Sequence, residues 1–512
     1  MKYNRNQQSS ISERTTIWAP WLSLLAAVCY LYVNLFTHSR VPILFFGDQT
    51  FFLVYAQRIL HGERIYQDFF QFTPPGTDLV YFAIFRLFGV HLWIINLLVL
   101  LLGLALTYLC FKLAARLMNQ HFALQASAIF LVLIYGSLLD ATHHWFSVLL
   151  SLCAVQTLMP ARTPGRIAIA GALMGLASFF TQTNGVAAVI AIAIALACEQ
   201  MLPSLNQGTQ HTRKIAQNLV LLIASAIGIW AALSGYWIGM IGWRRLWYFE
   251  ITYPRYYVGS GLHLISGMIG SLSDLAQHLF IYILTISIYP LVLWLCWRRR
   301  REISAQQGIQ ILLVCLTGLL LLLGVIANLN WNRLYIVSMP AIILFVWCIA
   351  HLRRLRLYVA TVLWILIFSL AAKRTLYRHQ HANYIVDLPA GKAALSSLSA
   401  ERFLWLKQHT NPGESLLQAQ NLDTYTPLQL RNPISADGLW PFHSTRPEFV
   451  ELAIRQIEQK QVKYILWSPW LVATERPDHE DQNPLNPFHA YLLDHYVRVH
   501  IFSNSEEVWQ RR

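Results

Sequence analysis

The sequence predicts an all-α polytopic membrane protein followed by a small α/β domain. Three observations carry that reading. The 512 residues are 56% hydrophobic and only 12% charged, about half the charge of an average soluble domain. The apolar residues gather into runs long enough to cross a bilayer. After residue 373 the chain turns polar and rich in His, Asn, Gln and Pro. A net charge of +14 would suit a nucleic-acid binder, but such a footprint is a basic patch on a polar domain. The hydrophobicity points to membrane lipids as the solvent, with no nucleic acid as partner.

Crossing the hydrocarbon core takes about 20 apolar residues in a helix. Runs of this kind lie near 17–36, 93–113, 122–139, 146–159, 167–180, 186–201, 217–239, 276–297, 308–327, 334–350 and 357–372, which predicts about 11 transmembrane helices. Cytoplasmic loops retain Lys and Arg. One set of alternate segments carries sixteen basic residues against three acidic ones, among them Arg298 to Arg301, whereas the opposite loops carry eight against seven. The expected layout is a cytoplasmic tail over 1–16, a multi-pass domain over 17–372 and an exported domain over 373–512, in a bacterial-type inner (plasma) membrane. The first span has a basic flank and no small-x-small cleavage site, as a retained anchor does. All seven cysteines fall inside predicted spans, so no disulfide framework is expected.

The span interiors hold no Asp, Glu, Lys or Arg, apart from Lys112 and Glu199 at cytoplasmic ends. An ion-coupled carrier needs such groups near the midplane. The ionisable chemistry lies instead in the outer loops, above all in the long loop 37–92. Phe46-Gly47-Asp48-Gln49 opens it where the chain leaves the bilayer. Residues 49–60 place Phe51, Phe52, Tyr55 and Ile59 at helical spacing, suiting a helix in the interface that ends at Gly62. Ile65-Tyr66-Gln67-Asp68-Phe69 and Pro74-Pro75-Gly76 follow, then an apolar stretch over 79–89 too short to span.

This order of Gly-Asp, interfacial helix, Tyr-x-Asp-Phe, Pro-Pro-Gly and Leu87-Phe88-Gly89 resembles the first outer loop of GT-C glycosyltransferases. The branch with protein O-mannosyltransferases and lipid A aminoarabinose transferases is the most similar in flavour. Asn332-Arg333-Leu334-Tyr335, running to Pro340, resembles the motif that enters a late span in that branch. The resemblance implies transfer of a sugar from a polyprenyl-phosphate donor to a lipid, glycan or protein hydroxyl at the outer face. It also implies that Asp48 is the functional carboxylate. The residue types suit the chemistry. A carboxylate can take the acceptor's proton as the bond forms, and guanidinium groups hold the charge that develops on the leaving phosphate.

Each candidate also has a plainer reading. Asp48 is either the catalytic base or a helix N-cap. Asp68 contacts substrate or belongs to a turn, and Arg58 meets phosphate or snorkels to headgroups. In the turn Asp140-Ala141-Thr142-His143-His144, Asp140 and His143 contact sugar or phosphate, bind a divalent metal as an i, i+3 pair, or form a polar turn. Basic residues interleave with aromatics in 240–275, where Arg244, Arg245, Arg255 and Tyr256 suit a lipid phosphate or an interfacial anchor. Arg333 and Tyr335 complete the set through the motif resemblance. The exported segment offers no Gly-rich phosphate loop or nucleophile elbow; helices near 396–409, 446–460 and 488–496 and strands at 464–467 and 497–502 suggest its α/β character. The rival functions are a lipid-carrier flippase or solute transporter and a non-catalytic assembly subunit.

Overall fold

The computed structural model describes residues 5–200, 208–255, 272–326, 330–352, 354–440, 445–472 and 483–512. Its helices run, in chain order, α1 (Arg5–Leu35), α2 (Gln49–Leu60), α3 (Gly76–Phe88), α4 (Leu92–Leu117), α5 (Gln120–Ile129), α6 (His143–Leu158), α7 (Pro164–Ser178) and α8 (Gln182–Gln200). There follow α9 (Gly208–Ile241), α10 (Trp243–Trp247), α11 (Leu272–Arg298), α12 (Ala305–Val325), α13 (Trp331–Val337), α14 (Met339–Ala350) and α15 (Arg356–His381). The remaining helices are α16 (Ser397–His409), α17 (Tyr425–Leu428), α18 (Pro447–Gln459) and α19 (Asn486–His495). Six strands accompany them: β1 (Tyr384–Leu388), β2 (Gly391–Leu395), β3 (Leu416–Gln418), β4 (Tyr464–Trp467), β5 (Tyr496–Ile501) and β6 (Glu507–Arg511).

This is a multi-pass membrane protein, for which about eleven spans were expected. Eight helices among the described residues are long and apolar enough to cross a membrane, or nine if a bent pair is one span. The expected spans at 146–159 and 167–180 are α6 and α7, of 16 and 15 residues. At 1.5 Å per residue they reach about 24 Å, short of the roughly 30 Å core. The expected span 334–350 is broken: α13 and α14 meet at 62°, where Pro340 occupies the first turn of α14 and cannot donate to a helix continuing from α13. The span 122–139 begins as α5, widens into a π turn at Phe130–Ile134 and tightens at Tyr135–Ser137.

The chain forms two compact units. The first comprises 1–33, 99–236 and 263–375. Its interior includes Trp145, fully buried, with its ring edge-on to those of Tyr135 and Phe130. A Cβ at Gly171 or Gly175 of α7 would stand 2.5 Å from the Leu222 carbonyl oxygen and 2.3 Å from that of Ala226, both on α9. Without lipid-excluded water to drive them together, membrane helices rely on such backbone approach over small residues. The spacing Gly171-x-x-x-Gly175 was legible in the sequence and went unread. Gly175→Val is expected to destabilise this unit by at least the ~1–3 kcal/mol typical of overpacking, because backbone cannot yield as a side chain can. Gly228→Ala in α9, where nothing lies within 4 Å, is expected to be neutral or stabilising. Thermal unfolding followed by size-exclusion chromatography compares the two.

The second unit comprises 34–98, 237–262 and 376–512. Its sheet has the order β3-β4-β6-β5, with β3 parallel to β4 and the other pairs antiparallel. Helices α18 and α19 cover it around a core including Ile465, Trp467, Phe488 and Leu492. The expected helices and the strands at 464–467 and 497–502 are present within two residues. The hairpin β1–β2 and strands β3 and β6 went unread. In this unit the C-terminal segment and the loop 37–92 share backbone hydrogen bonds. Ala394 N donates to Pro42 O (2.9 Å), Phe70 N to Ser435 O (2.8 Å) and Leu92 N to Ala390 O (3.1 Å). Loop backbone left unpaired near lipid would be costly, and the C-terminal segment supplies the partners.

Candidate functional site

Asp48 sits immediately before α2, exposed, at the N-cap position. A capping aspartate accepts from the backbone two or three residues on, yet the Asp48 side chain makes no capping hydrogen bond. Gly47 before it has φ +152° and open space where a Cβ would stand. The turn is held instead by Thr50, whose hydroxyl donates to Gly47 O at 2.7 Å. A cleft beside it is lined by Phe46, Gln49, Leu53 and Asn96 on one side and by Leu422, Asp423 and Thr426 on the other.

The other expected residues of this loop have structural roles. Arg58 is 6% exposed, paired with Glu63 at 2.7 Å, donating to Ile434 O at 2.8 Å and stacked over the Phe69 ring. Burial thus sets its guanidinium among protein partners. Asp68, exposed, accepts from Arg64 N at 2.7 Å and closes a turn.

Sequence reasoning passed over the acids buried beneath this loop. Tyr55 donates to Asp437, and Gln71 Nε2 donates to Asp78 at 2.9 Å. Burial pushes Asp437 up to about 7 and raises Asp78 well above the usual carboxylate range. Tyr66 bonds Glu250 at 2.8 Å, and burial pushes that carboxyl up to about 7 as well. Such contacts join residues 184 and 382 positions apart, a separation that no local pattern encodes. Arg244, Arg245 and Arg255 are exposed beside them, with Arg245 over the Phe249 ring. Tyr256 lies outside the described residues.

In the first unit, Asp140 accepts from the Thr142 hydroxyl at 3.3 Å, and the His143 and His144 rings lie 3.9 Å apart, both half-buried. Arg333, half-buried on α13, lies close enough to influence both imidazoles. Asn330 caps that helix through Arg333 N at 3.0 Å, which sets the arginine in the first turn. Tyr335, two residues on, is buried and shares a 2.8 Å hydrogen bond with His278 Nδ1. The His278 ring stacks on Trp331 at 4.5 Å and 1°. Arg374, unread in the sequence, donates to Val132 O and to Ser137 Oγ (2.6 Å), serving carbonyls that the π turn releases from the helical ladder. Among the described residues no group of three His, Cys, Asp or Glu could hold a metal ion.

No protein-family model matches the chain, and no curated protein matches it in sequence. Solved structures do match in fold. The oligosaccharyltransferase of Archaeoglobus fulgidus, tethered to an acceptor peptide containing the NVT sequon, is similar over 97% of this chain and 74% of its own (TM-score 0.53, 10% identity). Its complex with Zn and sulfate is similar over 87% and 67% (TM-score 0.51, 11% identity). ArnT of Cupriavidus metallidurans bound to undecaprenyl phosphate is similar over 95% of this chain and 97% of its own (TM-score 0.52, 12% identity). Likeness at such identity is likeness of fold, and function rests on the site.

Proposed function

Because the chain has the fold of the GT-C glycosyltransferases, we propose that it transfers a sugar from a polyprenyl-phosphate-linked donor to a hydroxyl of a lipid, glycan or protein. The observation that carries the reading is Asp48. It is an exposed carboxylate immediately before α2, within the Gly-Asp motif that opens this loop. The bond from acceptor oxygen to the anomeric carbon forms as the bond from that carbon to phosphate oxygen breaks. The acceptor proton passes to Asp48, and polyprenyl phosphate departs with the electron pair. Arg244 and Arg245, in the same unit as Asp48, are the cations proposed for that phosphate; Arg333 is a separate proposal, carried by its motif. Charge asymmetry supports an outer-face reaction, with a cytoplasmic amino terminus and an exported C-terminal segment in a bacterial-type inner membrane.

The deciding experiment supplies the purified protein with labelled polyprenyl-phosphate sugars and detects glycosidic product by mass spectrometry. Product whose formation consumes donor supports the reading. Donor that binds, or crosses a vesicle bilayer, without any product overturns it. Arg333→Ala is expected to lower kcat/KM for donor by about 10- to 100-fold, the equivalent of one charge-assisted hydrogen bond, with Arg333→Lys recovering part of it. Equal donor kinetics in all three proteins would remove Arg333 from phosphate binding.

A further inference from the structure

Tyr66 is 1% exposed and held with φ +66°, a conformation that non-glycine residues adopt only where the surroundings enforce it. Its phenol oxygen lies 2.9 Å from the Thr73 carbonyl oxygen and 2.8 Å from Glu250 Oε1. A phenol carries one proton, and a carbonyl has none to give. Both contacts are hydrogen bonds only when the Glu250 carboxyl contributes a proton of its own. It then donates to the Tyr66 oxygen while Tyr66 donates to Thr73. An ionised Glu250 would leave two acceptors competing for a single proton.

We propose that Glu250 is a positioning residue held as the neutral acid, and that in this form it fastens the Trp243–Tyr253 segment, with Arg244 and Arg245, to the first outer loop. The proposal rests on the reading above of those arginines as phosphate ligands. Glu250 lies in a π turn at Tyr248–Thr252, a wide turn that recurs at functional sites. The rings on either side share the fastening. Phe249 stacks on Tyr66 at 5.4 Å, and Tyr253 meets Phe70 edge-on at 4.6 Å.

The titratable and charged groups around this junction come from every element packed on it. Tyr66 belongs to the loop itself. Asp78 of α3 acts on Tyr66 together with Glu250. Asp437, bonded to Tyr55 of α2, acts on Asp78. Arg245 lies over the Phe249 ring and Arg446, at the start of α18, over the Tyr248 ring. Burial is the chief cause that lifts Glu250 from 4.5 to about 7. For a carboxyl raised in this way the stabilisation is complete below the unfolded value of 4.5. It is lost as pH rises through about 7, because the ionised form is the one that burial penalises.

The test is hydrogen exchange of the Trp243–Tyr253 amides in the full chain, corrected for intrinsic rate, from about pH 5.5 to about pH 8.5. Wild-type protection is expected to fall several-fold across neutral pH. Glu250→Gln keeps an N–H donor for Tyr66 and cannot ionise, so its protection is expected to stay flat and high. Glu250→Ala lacks the donor and is expected to be flat and low. The donor KM of the wild type should rise over the same interval, with a smaller change in kcat. Equal pH dependence in wild type and Glu250→Gln would overturn the proposal, and wild-type exchange that ignores pH would do so without any variant. If exchange titrates while no sugar is ever transferred, the fastening stands and the glycosyltransferase reading falls. If transfer occurs and exchange does not titrate, the reverse holds.

Discussion

Asp48→Asn is expected to slow sugar transfer by about 10²- to 10⁴-fold, the usual contribution of a general base, while leaving the protein folded. The two readings of this residue separate cleanly here. Asparagine caps helices as well as aspartate, so a capping Asp48 predicts unchanged turnover. The side chain is exposed, so a surface substitution of equal shape should shift stability by no more than about 0.5 kcal/mol. Asparagine cannot accept a proton, so kcat should fall with little change in donor KM. Single-turnover kinetics at saturating donor, beside a thermal melt, measure both quantities. Undiminished turnover would sink the assignment of the base.

Arg402→Met is expected to destabilise the second unit by about 3–5 kcal/mol, the cost of breaking a buried ion pair. That is a large part of the ~5–15 kcal/mol that holds a domain folded. Arg402 contacts Asp423 at 2.5 Å and Glu506 at 3.1 Å, and all three side chains are no more than 8% exposed. Removing the guanidinium leaves two buried carboxylates facing each other without a cation. Glu506 is already raised by burial, with Arg402 pulling the other way; without Arg402 it would rise further. A raised carboxyl favours the folded state at low pH and opposes it as pH increases. The deficit of the variant should therefore shrink in acid and grow toward neutral pH. Proteolysis of full-length protein across pH reads this directly, and a deficit independent of pH would contradict it. Asp423 and its neighbours Leu422 and Thr426 also line the cleft next to Asp48, so a loss of transfer is expected to accompany the loss of stability.

Much of this architecture was legible because its determinants are local. Whether a segment crosses a bilayer depends on its own length and apolar content, and the runs at 93–113 and 308–327 became α4 and α12. Interfacial helices follow the same logic, and the residues expected to form one, 49–60, are α2. Strand 464–467 and the helix near 446–460 were readable from short apolar patterns, the latter burying Val450, Ala453 and Ile457 on one face. Misreadings arose where a local pattern met a geometric limit. Hydropathy could not show the break between α13 and α14, since the apolar run of 334–350 continues across it. Nor could it foresee that α6 and α7 stop short of a full span.

Asp48 is a candidate for the same reason, through a motif contiguous in the chain. A basic residue such as Arg58 carries in the local sequence no mark of its distant partners, the Ile434 carbonyl among them. Glu250 attracted no notice at all, since an acid in an aromatic outer loop looks ordinary until Tyr66 is placed against it.

By itself, then, the sequence determined the solvent of this protein, the order of its helices, the charge asymmetry across them and the loop that carries the candidate base. Hydrophobic transfer and helix length act on one segment at a time. Only the tertiary structure decided that 376–512 folds with the first outer loop, and which carboxyls are buried as acids rather than exposed as charges. Desolvation and the sharing of a proton depend on what surrounds a group in space, and those neighbours are brought together only when the chain folds.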